Sequence, residues 1–345
     1  MKLSRCGKAA ACLAALAVAG AALLPARAAA QKDNPADGVE LRPGLLVHPT
    51  LNVAYVMTPE GVAAVDVTTG AKQWTTAAAA KPLTLAGDLL VTQVEPKTAV
   101  SNLELLALNV RQRGAPVVRG MTQLPGRVRV SIGESLFGTF ALDARAAAGA
   151  VLLDWSFEPA LLRGRDESVD ERRKAADDDD RRKAADVRLL KSQETEAGTL
   201  RLDLASGRVT RQEATPLLRQ KSLMIQPRAD VPEAKIAGAP PAQFESADGR
   251  HVLASERVDD DRVWDKYQWT IYERSSGRRL GQFRTHLSFT PFVVRGPLVI
   301  FETTPFARRG AAEEPAKLRA VSLETGREVW AVEVREIVYR GPYPP

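Results

Sequence analysis

Cysteine is almost absent from this 345-residue chain, and the two that occur, Cys6 and Cys12, both lie within its first 30 residues. Those residues read as a secretory signal peptide. Lys2, Arg5 and Lys8 give a positive start, residues 9–24 form an Ala-rich apolar run, and Pro25 precedes two small-x-small cleavage sites ending at Ala28 and Ala30. The run falls short of the roughly 20 residues a membrane-spanning helix needs. Arg5 stands alone, so twin-arginine export is not signalled, and Cys12 comes too early in the run to be a lipid-attachment site. Once the leader is removed, the mature chain has no thiol. That excludes disulfides, cysteine-ligated metals and cysteine nucleophiles, and suits an exported protein, periplasmic or extracellular.

Net charge is scarce as well. Loss of the four leader cations (Lys2, Arg5, Lys8, Arg27) takes Lys+Arg from 48 to 44, against 42 Asp+Glu. A near-neutral mature surface gives no case for nucleic acid, whose binding runs on clustered positive charge. No apolar run after the leader is long enough to span a bilayer. Only three histidines occur, His48, His251 and His286, and no H-E-x-x-H, G-x-S-x-G, P-loop or G-x-G-x-x-G motif accompanies them. A metal, catalytic or cofactor site is therefore not expected. Carboxylate pairs cannot be judged in a sequence so rich in Asp and Glu.

What is present is a repeat. Val62–Trp74 reads VAAVDVTTGAKQW, Leu318–Trp330 LRAVSLETGREVW, Leu200–Arg211 LRLDLASGRVTR and Trp269–Gly281 WTIYERSSGRRLG. In each, an alternating apolar strand ends at a polar residue (Asp66, Ser322, Asp203, Glu273). A glycine follows four positions later (Gly70, Gly326, Gly207, Gly277), and a second strand begins. Period-two alternation argues half-buried strands. The Thr/Ser-Gly corner supplies a positive φ, and the acid can hydrogen-bond turn amides. Four such hairpins predict a repeat architecture, with a β-sandwich as the competing all-β reading.

The pattern apolar-x-Asp-x-x-Thr-Gly-x-x-x-Trp, clearest at Asp66–Trp74 and next at Ser322–Trp330, resembles the repeat of PQQ-like β-propellers, the family of quinoprotein dehydrogenases and BamB-type scaffolds. The resemblance implies four-stranded blades, with the Asp-to-Gly stretch turning between the two outer strands and Trp74 and Trp330 docking between blades. Arg211 and Gly281 replace the tryptophan in the other two units. Leu105–Val118 and Phe140–Trp155 read as weaker units with lengthened turns. The expected segments are 41–80, 81–124, 125–215, 238–286 and 287–336, the third being one blade with an insert or two blades, for a total of five to seven. Residues 31–40 read as a linker and 41–345 as the propeller domain.

Two stretches interrupt the repeat. Residues 163–191 carry a duplicated RRKAAD flanking Asp178–Asp180 and read as a solvated helix or disordered insert; Ala214–Pro241 carries five prolines and reads as an extended connection. The quinoprotein enzymes of the family pair a vicinal disulfide and a calcium with the quinone. A chain without mature cysteine departs from that pattern, and Trp264 and Trp269 read as packing residues. The expected function is a non-enzymatic scaffold binding envelope or secreted proteins through loops or blade edges, with no cofactor. An envelope enzyme or sensor with a site in the propeller channel is the alternative.

Overall fold

Alternating strands with a glycine at each corner fold into five sequence-contiguous antiparallel sheets. The computed structural model describes residues 38–98, 100–135, 137–160, 195–212, 243–258, 265–286, 291–307 and 312–336. The residues read as a signal peptide, most of those read as a linker, the charged stretch and the Pro-rich connection lie outside those residues.

Sheet I is β1 (Val39–Arg42), β2 (Leu45–Val47), β3 (Val53–Thr58), β4 (Gly61–Asp66) and β5 (Lys72–Thr76). Sheet II is β6 (Lys81–Ala86), β7 (Leu89–Gln93), β8 (Asn102–Asn109) and β9 (Ala115–Gln123). Sheet III is β10 (Gly133–Ser135), β11 (Gly138–Ala147), β12 (Ala150–Pro159), β13 (Glu196–Asp203) and β14 (Val209–Gln212). Sheet IV is β15 (Gln243–Glu245), β16 (His251–Arg257), β17 (Tyr267–Glu273) and β18 (Arg279–Thr285). Sheet V is β19 (Phe292–Arg295), β20 (Leu298–Thr303), β23 (Lys317–Ser322) and β24 (Glu328–Glu333), with a side hairpin of β21 (Phe306–Ala307) and β22 (Glu313–Glu314). Strands run in sequence order across every sheet, and the last is the most exposed in sheets I and II. This is a β-propeller of four-stranded blades, two of them extended by one inner strand.

Each sheet falls within one of the five expected segments, except that β1 begins at Val39, inside residues 31–40 read as a linker, because Val39 and Glu40 pair with Val47 and Leu46. The third is one sheet, because β12 pairs directly with β13 and the charged insert merely joins them. Phe140–Trp155 is not a separate outer hairpin: it lies in β11 and β12, which meet at a tight turn in the interior of sheet III. Because Phe157 lies opposite Glu196, the ends of the insert are held together by the sheet. Deleting residues 166–189 is therefore expected to leave the melting temperature within about 2 °C of the parent, since trimming a surface loop changes closure entropy little. A thermal melt of the mature deletion variant checks it.

Adjacent sheets share apolar clusters. Sheets I and II meet through Tyr55, Ala64, Leu85 and Leu108, and sheets II and III through Ala107, Val151, Leu200 and Leu202. Sheets IV and V meet through Trp269, Ile271, Phe283 and Phe301, and sheets V and I through Val65, Ile300, Ala320 and Trp330. None of these clusters spans sheets III and IV.

A one-residue bulge explains the difference. In four outer hairpins the register slips once, so that Gln73, Val117, Leu280 or Val329 is left without an opposite partner. The slip turns the next side chain to the other face. Trp74, Val118, Gly281 and Trp330 thus stand opposite Ala64, Ala107, Ile271 and Ala320, on the face toward the following sheet. Each meets the outer turn of that sheet. A Cβ at Gly114 would lie 2.7 Å from Trp74, one at Gly207 3.2 Å from Val118, and one at Gly70 2.7 Å from Trp330. Gly281 reaches its neighbour by having no side chain, since a Cβ there would overlap Leu323 O. Gly281→Ala is expected to cost about 1–3 kcal/mol, the usual penalty of overpacking, read from a urea titration. In β14 the register is continuous. Arg211 therefore stands opposite Leu200, faces back toward sheet II, and donates to Gln123 O at 3.1 Å. A Cβ on Gly277, the turn glycine of sheet IV, would meet nothing within 4 Å among the described residues.

Candidate functional site

The two ends of the propeller differ. At one end every connection within a blade is short: 48–52, 87–88, 148–149, 246–250 and 296–297, with the outer turns 67–71, 110–114, 204–208, 274–278 and 323–327. The opposite end carries 94–101, 160–195, 258–266 and 304–316, with the tight connections 43–44, 59–60 and 136–137 beside them. Long loops are where a rigid scaffold places its contacts, so the loop end is the candidate functional surface.

The repeat residues all belong to the turn end. Asp66 Oδ1 accepts from Thr68 N (2.8 Å), Thr69 N (3.0 Å) and Thr68 Oγ1 (2.5 Å), and these hydrogen bonds hold its carboxyl below the usual range. Asp203 does the same with Ser206 and Ala205. Glu273 accepts from the Ser276 hydroxyl. Gly70, Gly207, Gly277 and Gly326 have φ of 67–74°. In sheet II Asn109 takes the acid's place, its Oδ1 accepting from Arg111 N and Gln112 N. That turn is one residue longer and ends on two left-handed residues, Arg113 (φ 54°) and Gly114 (φ 76°). Trp330 is buried and donates to Val67 O at 3.2 Å. Trp74 is half-buried and lies beside Tyr55. Trp269 is fully buried and donates to Thr285 Oγ1 at 2.8 Å; Trp264 lies outside the described residues.

Ser246, Asp248 and His251 bring the residue types of a hydrolase together at the turn end, in the wrong order. Ser246 Oγ donates to Asp248 Oδ1 (2.7 Å) and accepts from the backbone N–H of Arg250 and His251. It is a turn cap. Arg295 completes a brace across three sheets, reaching Asp248 at 3.3 Å and His48 O at 3.2 Å. His48 Nδ1 accepts from Thr50 N and Leu51 N.

The loop end gathers charges that no motif announces. The segment after β24 crosses sheet I, where Arg335 N donates to Met57 O. Its guanidinium then grips Glu95 of sheet II with two 2.6 Å hydrogen bonds, which hold that carboxyl low. Arg42 of sheet I pairs with Glu302 of sheet V. Glu302 continues the apolar face Leu298–Ile300, and burial pushes its carboxyl up to about 8 against the pull of Arg42. Nearer the axis, Lys81 is 4% exposed and donates to Leu142 O at 3.3 Å. Burial lowers its pKa, while Glu40 of sheet I and Asp143 of sheet III act to raise it. Lys81 and Glu302 open or interrupt the apolar strands KPLTLA and LVIFET, and a charge on a core face is the signal that sequence reading passed over.

Among the described residues, no group of three or more His, Cys, Asp or Glu could hold a metal ion, and no helix is long and apolar enough to cross a membrane. Sheets, turns and blade order define the protein as a β-propeller. No protein-family model and no characterised relative matches the sequence. Among solved structures, the chain is similar to an apocarotenoid oxygenase from Synechocystis (11% identity, 81% of this chain and 57% of that one, TM-score 0.25). It is also similar to the quinohemoprotein alcohol dehydrogenase ADHIIG from Pseudomonas putida HK5 (9%, 84% and 58%, TM-score 0.24). A third match is Kluyveromyces lactis Hsv2 (9%, 87% and 72%, TM-score 0.20). The chain thus spans less than two thirds of the length of the first two. These likenesses are weak, and the fold assignment rests on the sheets themselves.

Proposed function

We propose that the protein is an exported propeller of the PQQ-like repeat type that binds envelope or secreted proteins through its loop end and performs no catalysis. The observation that carries this reading is the asymmetry of the connections within blades: the four long ones all join strand ends at one end of the ring, while every one at the other end is short. The charges described at that end are engaged with one another across sheets, as Arg335 with Glu95 and Arg42 with Glu302. Such pairs hold a platform rigid. A second reading, a ligand sensor with its site at the axis, is favoured by the convergence of Glu40 and Asp143 on Lys81.

Site-specific photo-crosslinking distinguishes these. A benzophenone amino acid at Lys97 or Glu313 on the loop end should capture envelope or secreted proteins, and one at Thr68 or Gln112, exposed on the turn end of sheets I and II, should not. Equal yields from both ends would overturn the loop-end assignment. Loss of all capture by loop-end probes, together with a small molecule whose binding depends on Glu40 and Asp143, would favour the sensor. Export has its own check: the mature protein recovered outside the cytoplasm should begin at Ala29 or Gln31.

A further inference from the structure

The outer rim where sheet IV follows sheet III differs from the other four joints in two independent ways. The first is shape. Around the ring, each outer hairpin seats a residue on the outer turn of the next sheet, but the continuous register of β14 turns Arg211 away, and among the described residues nothing lies within 4 Å of a Cβ on Gly277. The second is charge. The two hairpins flanking this joint, residues 200–211 and 267–285, carry Arg201, Arg208, Arg211, Arg274, Arg278, Arg279 and Arg284. Their acids are Asp203 and Glu273, both turned inward onto Ser206 and Ser276. Arg208, Arg211, Arg274, Arg278, Arg279 and Arg284 are exposed. Arg274 reaches Glu245 and Arg278 lies 3.8 Å from Glu273. Arg208 and Arg279 have no ion pair among the described residues. Sequence-wide, basic and acidic residues nearly balance once the leader is gone, so this concentration is local.

We propose that this rim is a docking surface for an acidic segment of a partner protein, which places an apolar or aromatic side chain over Gly277 between the arginines. The chemistry follows from the two features together. Exposed guanidiniums attract carboxylates and hold them bidentately. The open place over Gly277 corresponds to the seat that Trp330 fills over Gly70 and Trp74 fills over Gly114, so a single side chain suits it. A polypeptide supplies both groups from one backbone, whereas a lipid surface or nucleic acid brings only the anions. This surface lies at the turn end and stands apart from the loop-end reading.

The test uses the mature protein and a labelled 12-residue peptide of Asp and Glu with a central Trp, followed by fluorescence anisotropy. We expect saturable binding that weakens at least about tenfold between 50 and 300 mM salt. The double variant Arg208→Glu, Arg279→Glu should lose binding by at least about tenfold while its melting curve matches the parent's. A peptide with Ala for Trp should bind several-fold more weakly. Arg111→Glu, an exposed arginine on sheet II, should change nothing. Four results would overturn the proposal: no binding at low salt, binding insensitive to the double variant, equal binding of the Ala peptide, or anionic vesicles or duplex DNA competing at lower concentration than the peptide.

Discussion

Replacing Trp330 by alanine is expected to destabilise the mature protein by about 3–5 kcal/mol, the usual cost of truncating a buried aromatic residue. The side chain is 8% exposed, belongs to the cluster joining the last sheet to the first, and donates its indole N–H to Val67 O. Its removal leaves that cluster with a cavity and Val67 O without its donor. The recurrence of tryptophan at equivalent positions suggests similar losses for Trp74 and Trp330. The structure separates them: Trp74 is only half-buried, beside Tyr55 and Gly114, so Trp74→Ala should cost distinctly less. Urea titrations of the two variants beside the parent measure both. Equal losses, or a Trp330 variant as stable as the parent, would contradict the packing described here.

The second large effect is a dependence on pH. Burial pushes the Glu302 carboxyl from 4.5 to about 8, Arg42 opposing. The folded chain therefore keeps a proton that the unfolded chain releases above about 4.5. Stability should fall as pH rises from about 4.5 to about 8 and level off beyond. A displacement of that size corresponds to about 5 kcal/mol, at about 1.4 kcal/mol per decade of pH. Glu302→Gln keeps the side chain's shape and cannot ionise. The variant should show a flatter profile and exceed the parent's stability near pH 9. Urea midpoints for both proteins near pH 5 and near pH 9 decide it, and parallel profiles would show that ionisation of Glu302 is not the cause.

How much of this was legible beforehand depended on range. The hairpins are local objects: a polar residue, four steps, a glycine, and alternation on either side specify Asp66–Gly70 and its counterparts without reference to the rest of the chain. That was enough for an all-β propeller and for five segments that hold the five sheets, apart from the start of β1 at Val39. The Phe140–Trp155 stretch was placed wrongly because any tight hairpin satisfies the same local rule, and only pairing with β13 shows that it lies inside the blade. The bulges at Gln73, Val117, Leu280 and Val329 leave no compositional mark, so which face Arg211 would take was beyond reach. The loop-end charges were invisible for a related reason. Lys81 reaches Leu142 O only when sheet III packs on sheet II. Arg335 and Glu95 lie 240 residues apart, and Arg42 and Glu302 stand on the first and last sheets, so both pairs form only when those sheets meet.

That meeting also sets an order in time. Sheet V is the last to be synthesised, and the seat of Trp330 on sheet I is 263 residues upstream. Until the end of the chain emerges, sheet I holds half of an apolar cluster (Val47, Val56, Ala63, Val65) with nothing to cover it. Contacts so distant in sequence form slowly and leave sticky surface open meanwhile. In a chain made N-terminus first, the earliest blade to form is the one that waits longest for its neighbour, and its partly covered face is where a holding chaperone would find most to grip.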